Sequence, residues 1–223
     1  MNTAASDLPS TSGRATPLRF VTAASLFDGH DVAINIMRRL IQAHGVEVIH
    51  LGHNRSVDDI VRAAIQEDAD GIAVSSYQGG HMEFFRYMID RLRDLGAAHI
   101  RVFGGGGGTI TPEEIKELMD YGVERIYHPH DGMELGLEAM IRDLVERTMA
   151  SRRPVASSMP ARSDSTIDIA AMLSAIEAEA FDAAQLSTLR KEWQMKAGQA
   201  PVIGITGTGG ADRKSTRLNS VTL

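Results

Sequence analysis

The feature that most constrains this chain is a five-fold alternation of short apolar runs with helical patterns. "LRFVTAAS" (18–25), "VEVIHL" (46–51), "GIAVSS" (71–76), "HIRVFG" (99–104) and "VERIYH" (123–128) read as strands. Between them lie helical periods. Residues 31–44 place Val32, Ile36, Leu40 and Ile41 on one face. Ser56 can cap a second helix with Asp58 and Asp59 in its first turn. A third helix spans 80–95. "TPEEIKELMDYG" offers Thr111 as cap, Pro112 at the first helical position and Glu114 to complete a capping box. A fifth helix is expected over 132–149. Strands that alternate with helices pair in parallel through right-handed crossovers. Residues 17–149 therefore read as an α/β domain, a doubly wound five-stranded parallel sheet in the flavodoxin-like order.

Ligands of such folds bind beyond the carboxyl ends of the strands. The unusual residues gather there: Asp28-Gly29-His30, His53, Ser75 to Gly80, Gly104 to Gly108, and His128 to Asp131. An ordinary strand-to-helix turn needs no aspartate two residues before a histidine. A carboxylate so placed can bond one ring nitrogen, fix the tautomer and raise the basicity of the other. That describes an oriented imidazole, fit for a metal or for general-base work. Ser75 and Ser76 either cap the next helix or aim a hydroxyl at a ligand. Five consecutive glycines cannot be continued strand or helix on propensity. They allow a bulky ligand to approach the backbone, with free N–H groups for a phosphate.

The pieces "DGHDVA", "SSY" and "GGGGG" together resemble the D-x-H-x-x-G … S-x-L … G-G signature of the cobalamin-binding domain of adenosylcobalamin-dependent acyl-CoA mutases (the methylmalonyl-CoA mutase family). Within that family, "LFDGHD", "VIHLGHNRS", "SSYQGGH" and "VFGGGGGTI" look most like the fused isobutyryl-CoA type. The resemblance covers residues 17–149. Ala33 stands where the signature has glycine, and Tyr77 where it has leucine. The resemblance implies adenosylcobalamin as cofactor, with His30 as the axial ligand of cobalt and Asp28 holding His30. Gly29 would let the loop pass beneath the corrin. Ser75 would meet the buried benzimidazole, and Gly104, Gly105, Gly106, Gly107 and Gly108 would line the nucleotide tail. Tyr77, His53, Gln78, His128 and Asp131 are candidates for the corrin periphery. His44 and His50 read as surface residues. Partners implied are an acyl-CoA substrate barrel and a GTPase chaperone domain, in cis or in trans. The expected chemistry is carbon-skeleton isomerisation of isobutyryl-CoA or butyryl-CoA, with this portion inactive alone. A stand-alone cobalamin carrier or sensor is the alternative.

Other readings of the fold fare worse. A receiver domain needs an aspartate after the third strand and a lysine after the fifth. Here those strands end in Ser75-Ser76 and His128. A flavodoxin needs a hydroxyl-rich loop where "FDGHD" stands. A Ser75–His30–Asp28 hydrolase lacks the G-x-S-x-G elbow.

Composition sets outer bounds. The chain carries 23 Lys and Arg against 29 Asp and Glu, a net charge of −6. That argues against nucleic acid or an anionic membrane as partner. There is no cysteine, so no disulfide framework. Without an apolar leader or spanning run, a soluble cytoplasmic protein is expected. Residues 1–16 read as disordered. Residues 150–200 read as a Ser/Pro/Arg-rich linker with helices over 166–180 and 183–196. Residues 201–223 read as a truncated P-loop start: Gly207 fits, but Asp212 and Arg213 occupy the glycine and lysine places, with Lys214 and Ser215 one step late. GTP binding is therefore not expected.

Overall fold

A computed structural model describes residues 16–30, 32–155 and 165–197. The expected N-terminal disorder up to residue 15, part of the linker and the P-loop-like tail lie outside the described residues. These divide into two units between Phe181 and Asp182. The first unit holds five strands: β1 (Arg19–Ala24), β2 (Glu47–His50), β3 (Gly71–Ser75), β4 (Arg101–Gly105) and β5 (Arg125–Tyr127). Between and after them run α1 (Val32–Ala43), α2 (Val57–Gln66), α3 (His81–Asp94), α4 (Pro112–Tyr121), α5 (Pro129–Leu135), α6 (Leu137–Ala150) and α7 (Thr166–Glu177). The second unit contributes α8 (Ala183–Ala197), whose start is held by Asp182 and Gln185 bonding each other's backbone N–H.

All strand pairs are parallel, in the order β2-β1-β3-β4-β5. This is the doubly wound sheet expected. The two caps read from the sequence also form. Ser56 Oγ accepts from Asp59 N at 3.2 Å. Thr111 and Glu114 make the reciprocal capping box, with Pro112 opening α4.

Strand alternation sends side chains to two separate cores. Val21, Ile72, Val74, Val102 and Ile126 face α2, α3 and α4, where Phe85, Met88 and Leu118 are fully buried. Ile167 of α7 adds to that face. Phe20, Ala73 and Phe103 face α1 and α6, against Ile41, Ile141, Leu144 and Val145. Each large apolar side chain buried this way contributes about 1.5–3 kcal/mol.

Two expectations are corrected. The glycine run does not end the fourth strand at Gly104: β4 continues through Gly105. Gly104 pairs with Val74 and Ile126, and Gly105 with Ser75 and Tyr127. A central strand bonded on both sides overrides glycine's poor propensity. The single helix expected over 132–149 is two helices. Gly136 takes φ +78°, which ends α5, and α5 itself begins earlier, at Pro129.

Candidate functional site

The loop after β1 is built around Asp28, whose side chain is fully buried. Its Oδ1 accepts from the His30 backbone N at 2.8 Å and contacts His30 Nδ1 at 3.0 Å. Its Oδ2 accepts from Tyr77 N at 2.7 Å. One carboxylate thus ties the β1–α1 loop to the end of β3 and holds an imidazole. The His30 side chain remains 74% exposed. With Nδ1 engaged, Nε2 is the nitrogen left for an incoming group. The ring of Tyr77 lies beside it, centroids 5.2 Å apart and tilted by 31°.

Next to this loop a cavity of about 390 Å³ opens between the sheet and the helices α1, α5 and α6. Ala73, Ser75, Phe103 and Gly105 form its floor, and Ile34, Met37, Met140 and Leu144 belong to its walls. Tyr77, Gly106, Gly107 and His128 lie along it as well. Its lining is largely apolar. Among its few polar members is Ser75, a buried residue whose Oγ has no hydrogen-bond partner among the described residues. Leaving a hydroxyl so costs about 1–3 kcal/mol unless a ligand meets it. The alternative use of the serines as helix caps does not occur: the residue before α3 is Gly80, and among the described residues no side chain caps it. Ser76 instead accepts a bond from Ser25 Oγ at 3.1 Å.

The glycines fall into two kinds. A Cβ on Gly29 would meet nothing within 4 Å, so nothing in the described chain requires glycine there. The long run is needed by the fold itself. A Cβ on Gly104 would reach 2.5 Å from Phe85, one on Gly106 2.2 Å from the Ser76 carbonyl, and one on Gly107 2.0 Å from the Tyr77 ring. Gly107 and Gly108 also have positive φ, +56° and +88°. Gly108 does not line the cavity.

The peripheral candidates separate. His53 is exposed in the β2–α2 loop. The Gln78 carbonyl contacts His81 Nδ1 at 3.2 Å. His128 borders the cavity, while Asp131 serves the cap of α5 and contacts Arg125. His44 and His50 are not the surface residues expected. Both are half-buried: His44 joins the Leu40 carbonyl and Glu138 across α1 and α6, and His50 bonds Thr22 at 2.9 Å. Packing of α1 against β2 and α6 covers them.

Sequence reasoning missed the cavity walls on α6 and the conformation of Phe27. Met140, Ile141 and Leu144 carry the same helical spacing as any core residue, so no local signal separates a wall from a filled core. Phe27 is 85% exposed with φ +64°, its N–H bonded to Asn54 Oδ1 at 2.9 Å. Also unforeseen is Tyr127, whose phenol donates to Asp143 Oδ2 at 2.9 Å. Burial, then that bond to a carboxylate, push its ionisation far above the ordinary tyrosine range.

A parallel sheet of this order, with an aspartate-held imidazole and an apolar slot at its carboxyl edge, defines a ligand-carrying α/β domain. Residues 18–128 match the B12 binding domain family. The chain belongs to that family. It is 53% identical over 220 residues to a fused isobutyryl-CoA mutase of Cupriavidus metallidurans, a match covering 96% of this chain and 20% of that protein. It is 33% identical over 111 residues to the small subunit of 2-hydroxyisobutanoyl-CoA mutase of Aquincola tertiaricarbonis, covering 50% of this chain and 80% of that one. Among solved structures, a cobalamin-binding protein of Desulfitobacterium hafniense superposes with a TM-score of 0.49 at 20% identity, over 58% of each chain. The chain spans about a fifth of the length of the fused mutases it matches. Among the described residues no helix is long and apolar enough to cross a membrane.

Proposed function

We propose that this chain is the cobalamin-binding portion of an adenosylcobalamin-dependent acyl-CoA mutase of the isobutyryl-CoA type. The observation that carries this is an outward-facing imidazole, held through Nδ1 by a buried carboxylate, beside an apolar slot with an unmet hydroxyl. A single histidine cannot close a four-ligand metal site. It can give one ligand to a metal ion that a bound cofactor already carries.

The residues present fit that group. His30 would hold the cobalt of the cofactor through its free Nε2. Asp28 would hold the ring and raise its basicity. Ser75 Oγ would bond the buried base of the nucleotide tail, between the apolar walls of α1 and α6. The open space around Gly29 leaves room for close approach of the corrin. When bound, the cofactor would supply the radical chemistry that skeletal rearrangement needs. The protein's share here is to bind, to orient and to keep the tail out of water. Substrate handling falls to an acyl-CoA barrel, and loading to a GTPase chaperone domain, in cis or in trans. A separate barrel is consistent with need: radical chemistry requires a site sealed from water.

The test is titration with adenosylcobalamin, followed by absorbance and by electron paramagnetic resonance of the cob(II)alamin form. The expected result is tight binding with nitrogen hyperfine coupling from the protein. His30→Ala should remove the coupling and sharply weaken binding. Asp28→Asn should weaken coordination about tenfold to a hundredfold. Unchanged affinity and coupling in His30→Ala would overturn the assignment.

A further inference from the structure

We propose that Tyr77 is the positioning residue of the His30 imidazole, and that Gly107 is glycine because it seats the Tyr77 ring. The inference rests on the reading of His30 as an axial ligand. One contact at Nδ1 fixes the distance of an imidazole but leaves its plane free to swing. A ligand must aim its other nitrogen within about 10–20° of the metal axis. His30 is 74% exposed, so few neighbours restrain it. Tyr77 provides two restraints from one residue. Its peptide N–H holds Asp28 Oδ2 at 2.7 Å, the carboxylate whose other oxygen takes His30. Its ring lies 5.2 Å from the imidazole at a 31° tilt, the separation of a favourable aromatic pair.

The ring reaches that place only because position 107 has no side chain. A Cβ there would come within 2.0 Å of Tyr77 Cε1 and 2.7 Å of Cδ1. The left-handed φ of +56° adds a second reason for glycine. A chain of contacts therefore runs from the glycine loop after β4, through Tyr77, to the imidazole. Gly107 acts on the metal side of the site and not solely on the slot.

The experiment uses the 223-residue chain and three variants, Tyr77→Phe, Tyr77→Ala and Gly107→Ala, with the double variant of the last two. Ring signals of His30 are followed by ¹H–¹⁵N correlation in the ligand-free protein. Affinity is measured for complete cobalamin and for cobinamide, which lacks the nucleotide tail. Tyr77→Phe keeps the ring and should leave the His30 ring signals in place, rescuing the defect of Tyr77→Ala. Tyr77→Ala should move and broaden the His30 signals and weaken cobinamide about threefold to tenfold. Gly107→Ala should do the same, and should add little in the Tyr77→Ala background, where no ring is left to displace. His30 signals that stay put in Tyr77→Ala would overturn the proposal. So would a Gly107→Ala variant that loses cobalamin but keeps full cobinamide affinity, since that pattern belongs to a tail-lining residue. If the unaltered chain binds neither corrinoid, the reading of His30 as a metal ligand fails, while the ligand-free spectra still decide whether Tyr77 positions the ring.

Discussion

The two faces of the sheet are built from the same strands and end differently. The face toward α2, α3 and α4 is filled: Phe85 and Ile126 occupy the space that a side chain at Gly104 would need. The face toward α1 and α6 is hollow near its carboxyl end. There Ala73, Ser75 and Gly105 put small groups on the floor, and about 390 Å³ stays open above them. Side chains of successive residues of β3 and β4 thus serve opposite faces. Val74 and Gly104 belong to the packed side, Ser75 and Gly105 to the empty one. A close-packed interior gives up dispersion contacts wherever a void is kept. The hollow face is accordingly the one where a binding role best explains the lost packing.

Four measurements can break or sharpen this contrast. Phe85→Ala, on the filled face, should lose about 3–5 kcal/mol in urea denaturation. A loss near 1 kcal/mol would mean that face is not close-packed. Ile141→Ala borders the void and has fewer contacts to lose, so about 2 kcal/mol is expected. Equal losses at the two positions would erase the distinction. Ala73→Val adds two methyl equivalents to the floor of the slot. It should stabilise the ligand-free chain by up to about 1.5 kcal/mol while weakening cobalamin. Loss of stability with unchanged cobalamin affinity would show that the slot is not where the tail goes.

The smallest effect concerns the edge of the hollow face. Burial raises the Asp143 ionisation, but bonds from Arg147 and Tyr127 outweigh it and hold the carboxyl below its usual range. Depressed in the folded state, Asp143 adds stability above its unfolded value, and this is lost as pH falls through the folded one. Tyr127 shifts the other way: its stability is present below the unfolded tyrosine value and fades as pH rises beyond it. Asp143→Asn should flatten the acid limb of a stability–pH curve. An unchanged acid limb would remove Asp143 from the account.

Much of the site was legible locally. Asp28 and His30 lie two residues apart, and a carboxylate at that spacing can reach the imidazole within one loop. The caps of Ser56 and Thr111 are equally local. From sequence, Tyr77 belongs to the corrin periphery and Gly107 to the tail lining, with nothing to connect them. Their contact spans thirty positions of sequence and depends on β3 and β4 ending side by side. His44 and His50 are half-buried for the same reason: Glu138 and Thr22, which meet them, come from other elements.

The sequence by itself determined the order of strands and helices, their faces and the oriented imidazole. Periodicity and capping act within one or two turns of chain, so they can be read there. Tertiary structure alone decided that Gly105 extends β4, that Gly136 divides the last helices of the sheet domain, and that one face stays hollow. A cavity is defined by groups absent from four or more elements at once. No stretch of sequence records an absence shared among segments that meet only in the fold.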